Sequence, residues 1–183
     1  DGTLNEEVHY LHRREDLKLI PGVPQALRLL KQAGYRLVVV TNQAGVARGY
    51  YKESDVEALH RYMNRVLERE GAAVDAYYYC PHHPEHGLGK YKTQCRCRKP
   101  GTGMFEMGKR TLKWTRPIPL WWAINLLDVE AGRNYGIASI LVGTGYGREQ
   151  HQKDMDRGVN PVYDHYGETL MDAARWIVEK GQV

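Results

Sequence analysis

The sequence predicts an α/β domain with a mostly parallel sheet. Segments with the spacing of amphipathic helices alternate along the chain with short apolar runs that are typical of buried strands. The chain has 183 residues, of which 42% are apolar and 26% charged, the size and composition of one compact globular unit. We therefore expect a single domain over residues 1–183.

Apolar residues recur at helical spacing in five segments. In the first, Ala26, Leu27 and Leu30 mark one face of a helix. Pro24 suits its first turn and Gly34 suits its end. The predicted helices cover residues 23–32, 54–69, 104–112, 129–133 and 168–180.

Short apolar runs between these helices predict buried parallel strands at 35–40, 74–79 and 138–142, and a further apolar run covers 120–124. The first strand is followed by Thr41, Asn42 and Gln43, and the second by a long loop. Ligands of open α/β sheets bind at the carboxyl ends of strands, so we expect the chemistry at these positions.

Charge and hydropathy narrow the class of protein. The formal net charge of +4 is spread along the chain, which favours a small anionic substrate over a nucleic-acid groove. No run approaches the roughly 20 apolar residues that span a bilayer, and the first residues lack the features of a signal peptide. We expect a cytoplasmic monomer that binds neither nucleic acid nor membrane.

The three cysteines of the chain lie close together in the loop 80–99. Cys80, His82, Cys95 and Cys97 form a set whose spacing suits a structural zinc site, which takes four Cys and His ligands. His83 and His86 are alternatives to His82. The other interpretation, three unliganded thiols beside ordinary surface histidines, is less favoured because all three cysteines fall in one loop.

Three motifs, in this order, resemble the haloacid dehalogenase superfamily: Asp1-Gly-Thr-Leu-Asn, then Thr41-Asn-Gln after a strand, then Arg98-Lys-Pro. The stretches 43–49, 79–84 and 95–99 are similar to the heptose bisphosphate phosphatases in particular, over nearly the whole chain. Histidinol-phosphate phosphatases share much of this pattern. The resemblance implies a Rossmann-like three-layer sandwich, haloacid dehalogenase-like, with a zinc-binding loop.

The resemblance also implies a reaction. Such enzymes are magnesium-dependent phosphatases that form an aspartyl-phosphate, which water then hydrolyses. The implied reaction is removal of the 7-phosphate of D-glycero-D-manno-heptose 1,7-bisphosphate, in lipopolysaccharide and nucleotide-heptose precursor synthesis. The alternatives are a histidinol-phosphate phosphatase and a non-catalytic, zinc-stabilised module that binds a phosphosugar.

The motifs assign roles to particular residues by resemblance. Asp1 is expected to be the general acid and base, while Thr41 and Lys99 bind the transferring phosphoryl group. Asp1 and Asp128 are the expected magnesium ligands, and Arg98 contacts another part of the substrate. The remaining expected substrate contacts are Glu7, Val8, His9, Tyr10, Asn42, Gln43 and Ala44.

Two departures from the family pattern bear on activity. The first departure concerns the attacking aspartate. The family pattern places it two residues before Asp1, on a strand in the middle of the sheet, and this position precedes the first residue of the chain. The second departure is Ile124, which stands where the family has a magnesium-binding carboxylate. We therefore expect the chain to be an N-terminally truncated copy that is catalytically inactive.

A compensated frameshift would explain Ile124. Residues 121–125 can be encoded TGG TGG GCG ATA AAC, and reading from the third nucleotide gives Val-Gly-Asp-Lys, the family motif. The run 114–122, whose helix or strand character is poor, would then be out of frame. The alternative is true divergence into a pseudoenzyme.

Overall fold

The computed structural model describes residues 2–113, 120–123, 125–158 and 160–180. Its helices are α1 (Val23–Gln32), α2 (Ala44–Ala47), α3 (Glu53–Arg69), α4 (Gly103–Leu112), α5 (Leu126–Tyr135), α6 (Gly147–Asp156) and α7 (Leu170–Lys180). Its strands are β1 (Val38–Asn42), β2 (Ala76–Cys80), β3 (Leu120–Ala123), β4 (Ala138–Val142) and β5 (His165–Gly167). Single 3₁₀ turns cover Arg14–Asp16 and Gly89–Tyr91.

The described strands form two sheets, each parallel throughout. Strand β1 pairs with β2, and β3, β4 and β5 pair in that order. Parallel neighbours need crossover connections, which the intervening helices supply. The predicted α/β class with parallel strands is confirmed. In the described ranges, no helix has the length and apolar character that crossing a membrane requires.

Strand β4 shows how the sheet is covered on both faces. Ile140 and Val142 pack in the largest apolar cluster, which also contains buried residues of α1, α3 and α7. Leu141 points the other way and packs with Val129 of α5. Because alternate residues of a strand face opposite sides, helices lie on both faces of the sheet. This layering matches the expected three-layer sandwich.

Strand β1 starts later than its apolar run predicts. The Asp75 carboxylate accepts the Leu37 backbone N–H at 2.7 Å, and the Leu37 carbonyl accepts the Asp75 N–H at 2.8 Å. These bonds hold Leu37 outside the ladder, so β1 covers Val38–Asn42 instead of 35–40. Thr41 and Asn42 consequently belong to the strand itself, paired with Tyr79 and Cys80.

Other boundaries differ in the same modest way. Helix α5 is longer than predicted because the Asn125 side chain accepts the Asp128 backbone N–H at 3.0 Å and caps its first turn. Helices α2 and α6 and strand β5 were not predicted. The run 114–122 was expected to lack strand character, yet Leu120–Ala123 pairs with β4; residues 114–119 lie outside the described ranges.

Candidate active site

A cavity of about 1060 Å³ runs along β1 and ends beside the first turn of α5. It gathers most of the predicted site residues: Glu7, His9, Tyr10, Thr41, Asn42, Gln43, Ala44, Lys99 and Asp128. Val8 and Arg98 are not part of its lining. Asp1 and Ile124 lie outside the described residues. The predicted concentration of polar groups at the carboxyl end of a strand is therefore present in the fold.

Lys99 is a nearly buried cation in the wall of this cavity. Its Nζ lies 2.6 Å from Oδ1 of Asp128, and the two side chains are only 10% and 8% exposed. The same Nζ donates to the carbonyl of Val40 at 3.1 Å. A buried charge requires such partners, and these also fix the direction of the ammonium group. The arrangement presents a positioned positive charge next to the carboxyl end of β1.

Asn42 holds the main chain of Lys99. Its Oδ1 accepts the Lys99 backbone N–H at 3.0 Å, while its Nδ2 donates to the Lys99 carbonyl at 3.3 Å. Both ends of the amide are thus engaged with one residue, 57 positions further along the chain. Asn42, predicted as a sugar contact, thus also holds the backbone of Lys99 in place.

Thr41 is joined to a short chain of hydrogen bonds. Nε2 of Gln43 donates to Oγ1 of Thr41 at 3.3 Å, and the hydroxyl of Tyr51 donates to Oε1 of Gln43 at 2.7 Å. Tyr51 also lines the cavity, although the sequence did not single it out. Its link to Gln43 spans eight positions, so no short motif reveals it.

The segment of residues 7–10 forms part of the cavity rim. His9 and Tyr10 both have left-handed backbone angles, with φ of 45° and 64°. The Glu7 carboxylate accepts the His9 N–H at 3.0 Å, and the Tyr10 ring meets that of Tyr50 edge-on at 5.0 Å. Strained backbone of this kind is concentrated at binding sites. Val8, in the same segment, is 38% exposed.

The loop after β2 brings four potential metal ligands together. The ligand atoms of Cys80, His82, Cys95 and Cys97 all lie within 4.8 Å of one another. The three sulfur–sulfur distances are 3.1, 3.2 and 3.5 Å, and Nδ1 of His82 lies 3.6 Å from Sγ of Cys97. Ligands about 2.3 Å from a tetrahedral zinc ion are separated by about 3.8 Å. The set therefore fits a metal ion after a small expansion.

Other interpretations of this cluster fit less well. The cysteines are free, and sulfur atoms more than 3 Å apart are far from the roughly 2.05 Å of a disulfide. His83 is occupied elsewhere, since its Nδ1 accepts the backbone N–H groups of Glu85 and His86. Burial raises the pKa of the Cys80 thiol, so a buried thiolate at this position needs a positive partner.

The loop that carries the Cys/His cluster is bonded to neighbouring parts of the fold. Arg98 donates to the carbonyl of His82 at 3.1 Å, which links the residue before Lys99 to a potential metal ligand. The Leu88 N–H donates to the carbonyl of Ala47 in α2 at 2.8 Å. Ordering this loop on a metal would therefore also order the chain that carries Lys99.

Magnesium, the other expected metal, needs oxygen ligands. Glu7 and Asp128 are the acidic residues in the described lining of the cavity. Asp128 is 5% exposed and lies in the first turn of α5, where it pairs with Lys99. Its carboxylate is chemically suited to magnesium, and the described residues thus supply part of such a site.

Comparisons with known proteins agree with this arrangement. The sequence profile of the polynucleotide kinase 3 phosphatase family matches residues 1–156. A D-glycero-beta-D-manno-heptose-1,7-bisphosphate 7-phosphatase of Haemophilus ducreyi is 38% identical over 167 residues, 90% of this chain and 91% of the relative. A D-glycero-D-manno-heptose-1,7-bisphosphate 7-phosphatase of Thermosynechococcus vestitus is 38% identical, with 97% of this chain and 91% of the relative covered.

The fold is also shared with a solved structure. The D,D-heptose 1,7-bisphosphate phosphatase from B. bronchiseptica, crystallised with magnesium and phosphate, superposes with a TM-score of 0.82 at 31% identity. The match covers 98% of this chain and 95% of that protein. With the cavity, the buried Lys99–Asp128 pair and the Cys/His cluster in place, these matches show that the chain belongs to the heptose-1,7-bisphosphate 7-phosphatase family, in the haloacid dehalogenase superfamily.

Proposed function

We propose that this site is built for magnesium-dependent removal of the 7-phosphate of D-glycero-D-manno-heptose 1,7-bisphosphate. The observation that supports this most directly is the buried Lys99–Asp128 pair beside Thr41, at the carboxyl end of β1. A fixed cation and a hydroxyl donor suit the charge that develops on phosphoryl oxygens. The names of the relatives supply the particular sugar.

Each residue has a proposed part. Lys99 and Thr41 bind the phosphoryl oxygens, and Asp1 protonates the leaving oxygen before it activates water. Magnesium, held by Asp1 and Asp128, would offset charge on the transferring group. The attacking carboxylate belongs two residues before Asp1. Arg98 contacts the sugar or its second phosphate. The other proposed contacts come from the rim segment and from the end of β1: Glu7, Val8, His9, Tyr10, Asn42, Gln43 and Ala44.

The unpaired edges of the described strands indicate where the attacking group would lie. Among the described strands, β1 pairs with β2 alone and β3 with β4 alone, so each has one unpaired edge. The cavity runs along β1, and Thr3, Leu4 and Asn5 line it. We propose that a parallel strand leading into Gly2 packs along β1 and carries the attacking aspartate.

The Cys/His cluster has a structural part in this proposal. Cys80, His82, Cys95 and Cys97 would hold zinc as a closed four-ligand site, which leaves no position for substrate. The metal stabilises the loop that leads into Arg98 and Lys99. We propose a cytoplasmic, single-domain monomer.

Binding measurements separate the candidate substrates. We expect the chain to bind D-glycero-D-manno-heptose 1,7-bisphosphate in a calorimetric titration with magnesium, and to bind histidinol phosphate at least tenfold more weakly. Lys99→Met should abolish binding of the preferred ligand. Preference for histidinol phosphate would favour that alternative activity, and no binding of either ester would contradict the proposed function. Binding without turnover in a chain that carries all motif residues would instead favour the non-catalytic module.

A further inference from the structure

We infer that Tyr51 and Gln43 are positioning residues that hold the Thr41 hydroxyl with its proton directed into the cavity, ready for a phosphoryl oxygen. The inference rests on the proposed function, because it takes the ligand of the cavity to be a phosphate ester. Neither residue needs to touch the reacting atoms for this role. In addition to its proposed contact with the sugar, Gln43 acts here through Thr41.

The first step is the hydrogen bonding of Thr41. A hydroxyl group has one proton to donate and two lone pairs that accept. Nε2 of Gln43 donates to Oγ1 of Thr41 at 3.3 Å and so occupies a lone pair. The proton of Thr41 is then not used by Gln43, and it stays available for an acceptor in the cavity that Thr41 lines.

The second step is the orientation of the Gln43 amide. If the amide were reversed, its oxygen would face Thr41 and accept the hydroxyl proton that the phosphoryl group needs. Tyr51 opposes this reversal, because its hydroxyl donates to Oε1 of Gln43 at 2.7 Å.

The third step is the placement of Tyr51. Its side chain is buried, with 7% of the residue exposed, and it packs with Val46 and Val56. The ring of His12 stacks on it, with centroids 4.9 Å apart and planes 9° from parallel. Burial raises the pKa of Tyr51 to about 12, so the hydroxyl keeps its proton at physiological pH.

Gly45 makes this placement possible. A Cβ atom at position 45 would overlap the ring and hydroxyl of Tyr51. Only a residue without a side chain at position 45 leaves room for the Tyr51 hydroxyl where it donates to Gln43. The backbone of Gly45 therefore packs closely against Tyr51, and this packing places the Tyr51 hydroxyl against Gln43.

The test separates this polar role from packing. Tyr51→Phe keeps the ring and its contacts and removes only the hydroxyl, and the adjacent Tyr50→Phe is the matched control. Inorganic phosphate is titrated calorimetrically into each chain in the presence of magnesium. We expect Tyr51→Phe to weaken phosphate binding about five- to tenfold, the usual effect of one hydrogen bond. Tyr50→Phe should leave it unchanged.

A double-mutant cycle ties the effect to Thr41. In a Thr41→Val background, which has no hydroxyl to orient, Tyr51→Phe should cause no further loss of phosphate affinity. A second loss of the same size would show that Tyr51 acts by another route, and it would overturn the inference. Equal phosphate affinities of Tyr51→Phe and Tyr50→Phe would overturn it as well.

A measurement without phosphate tests the positioning role of Tyr51 and Gln43 independently of the proposed phosphatase function. The side-chain amide resonances of Gln43 should shift in the ¹⁵N spectrum of Tyr51→Phe and not in that of Tyr50→Phe. If the unsubstituted chain binds no phosphate, the proposed function is contradicted, and the amide resonances alone decide the hydrogen-bonded arrangement. Unmoved resonances in Tyr51→Phe would show that the arrangement is wrong.

Discussion

The ammonium group of Lys99 and the carboxylate of Asp128 lie 2.6 Å apart, and both side chains are nearly excluded from solvent. The two residues come from different segments, one after the loop with the Cys/His cluster and one in the first turn of α5. Asn42 fixes the backbone of Lys99, and Asn125 caps the helix that carries Asp128. The pair is therefore held from both sides before any ligand arrives, as preorganised electrostatic sites require.

Removal of Lys99 should destabilise the fold as well as the site. Lys99→Met leaves the buried Asp128 carboxylate without its cation, which we expect to cost about 3 kcal/mol of unfolding free energy. Lys92→Met, at an exposed lysine of the same loop, is the matched control and should change stability by less than about 0.5 kcal/mol. Urea denaturation measures both. Equal unfolding free energies of the two variants would show that the Lys99–Asp128 ion pair does not stabilise the fold.

The Cys/His cluster should bind one zinc ion per chain. Cys97→Ser and His82→Asn each remove a proposed ligand, and we expect either change to abolish stoichiometric zinc in elemental analysis. The loss should lower the melting temperature by roughly 5–10 °C, equivalent to about 2–3 kcal/mol. His86→Asn lies in the same loop outside the set and serves as control. Full zinc content in His82→Asn would show that another histidine is the fourth ligand.

Stability should depend on pH through His60. Burial lowers the pKa of this imidazole to about 4, below the roughly 6.5 of an unfolded chain. The unfolded state then binds the extra proton, so the contribution is complete above about pH 6.5 and is lost as the pH falls towards 4. The slope should approach 1.4 kcal/mol per pH unit.

The slope of His60 can be isolated by substitution. His60→Phe fills the same space beside Tyr77, whose ring stacks on the imidazole at 4.7 Å, and cannot be protonated. We expect this variant to flatten the stability profile between pH 4 and 6.5, measured by urea denaturation at several pH values. His9→Asn, at an exposed histidine, should keep the original slope. An unchanged slope in His60→Phe would show that other groups dominate.

Gly45 should not tolerate a side chain. Gly45→Ala places a methyl group against the Tyr51 ring, and we expect a loss of about 1–3 kcal/mol in unfolding free energy. If the overlap is the cause, Tyr51→Leu in the same chain should recover part of this loss. If the double variant were less stable than Gly45→Ala alone, overlap with the Tyr51 ring would not be the cause of the loss.

The sequence predicted those features whose signals are local. The bounds of α1 follow from Pro24, Gly34 and the apolar spacing between them, and strand β4 follows from a compact apolar run. Cys95 and Cys97 with Cys80 and His82 predicted the cluster that the fold assembles. In each case the residues that determine the structure lie within one short segment or carry a strong chemical preference.

The features that were missed depend on contacts between distant residues. The start of β1 depends on Asp75, which bonds Leu37 from 38 positions away. Helix α6 has only Gly147 among its buried residues, so it carries no apolar stripe. Tyr51 reaches the site through the space left by Gly45, which hydrophobic spacing does not reveal.

The most direct test of the central claim is phosphate release from D-glycero-D-manno-heptose 1,7-bisphosphate with magnesium. The chain would be extended at its N-terminus by a strand with an aspartate two residues before Asp1, and given Ile124→Asp. We predict release of one phosphate per molecule, from position 7, with Lys99→Met inactive and the unextended chain inactive. A folded, metal-loaded extended chain that releases no phosphate would contradict the account.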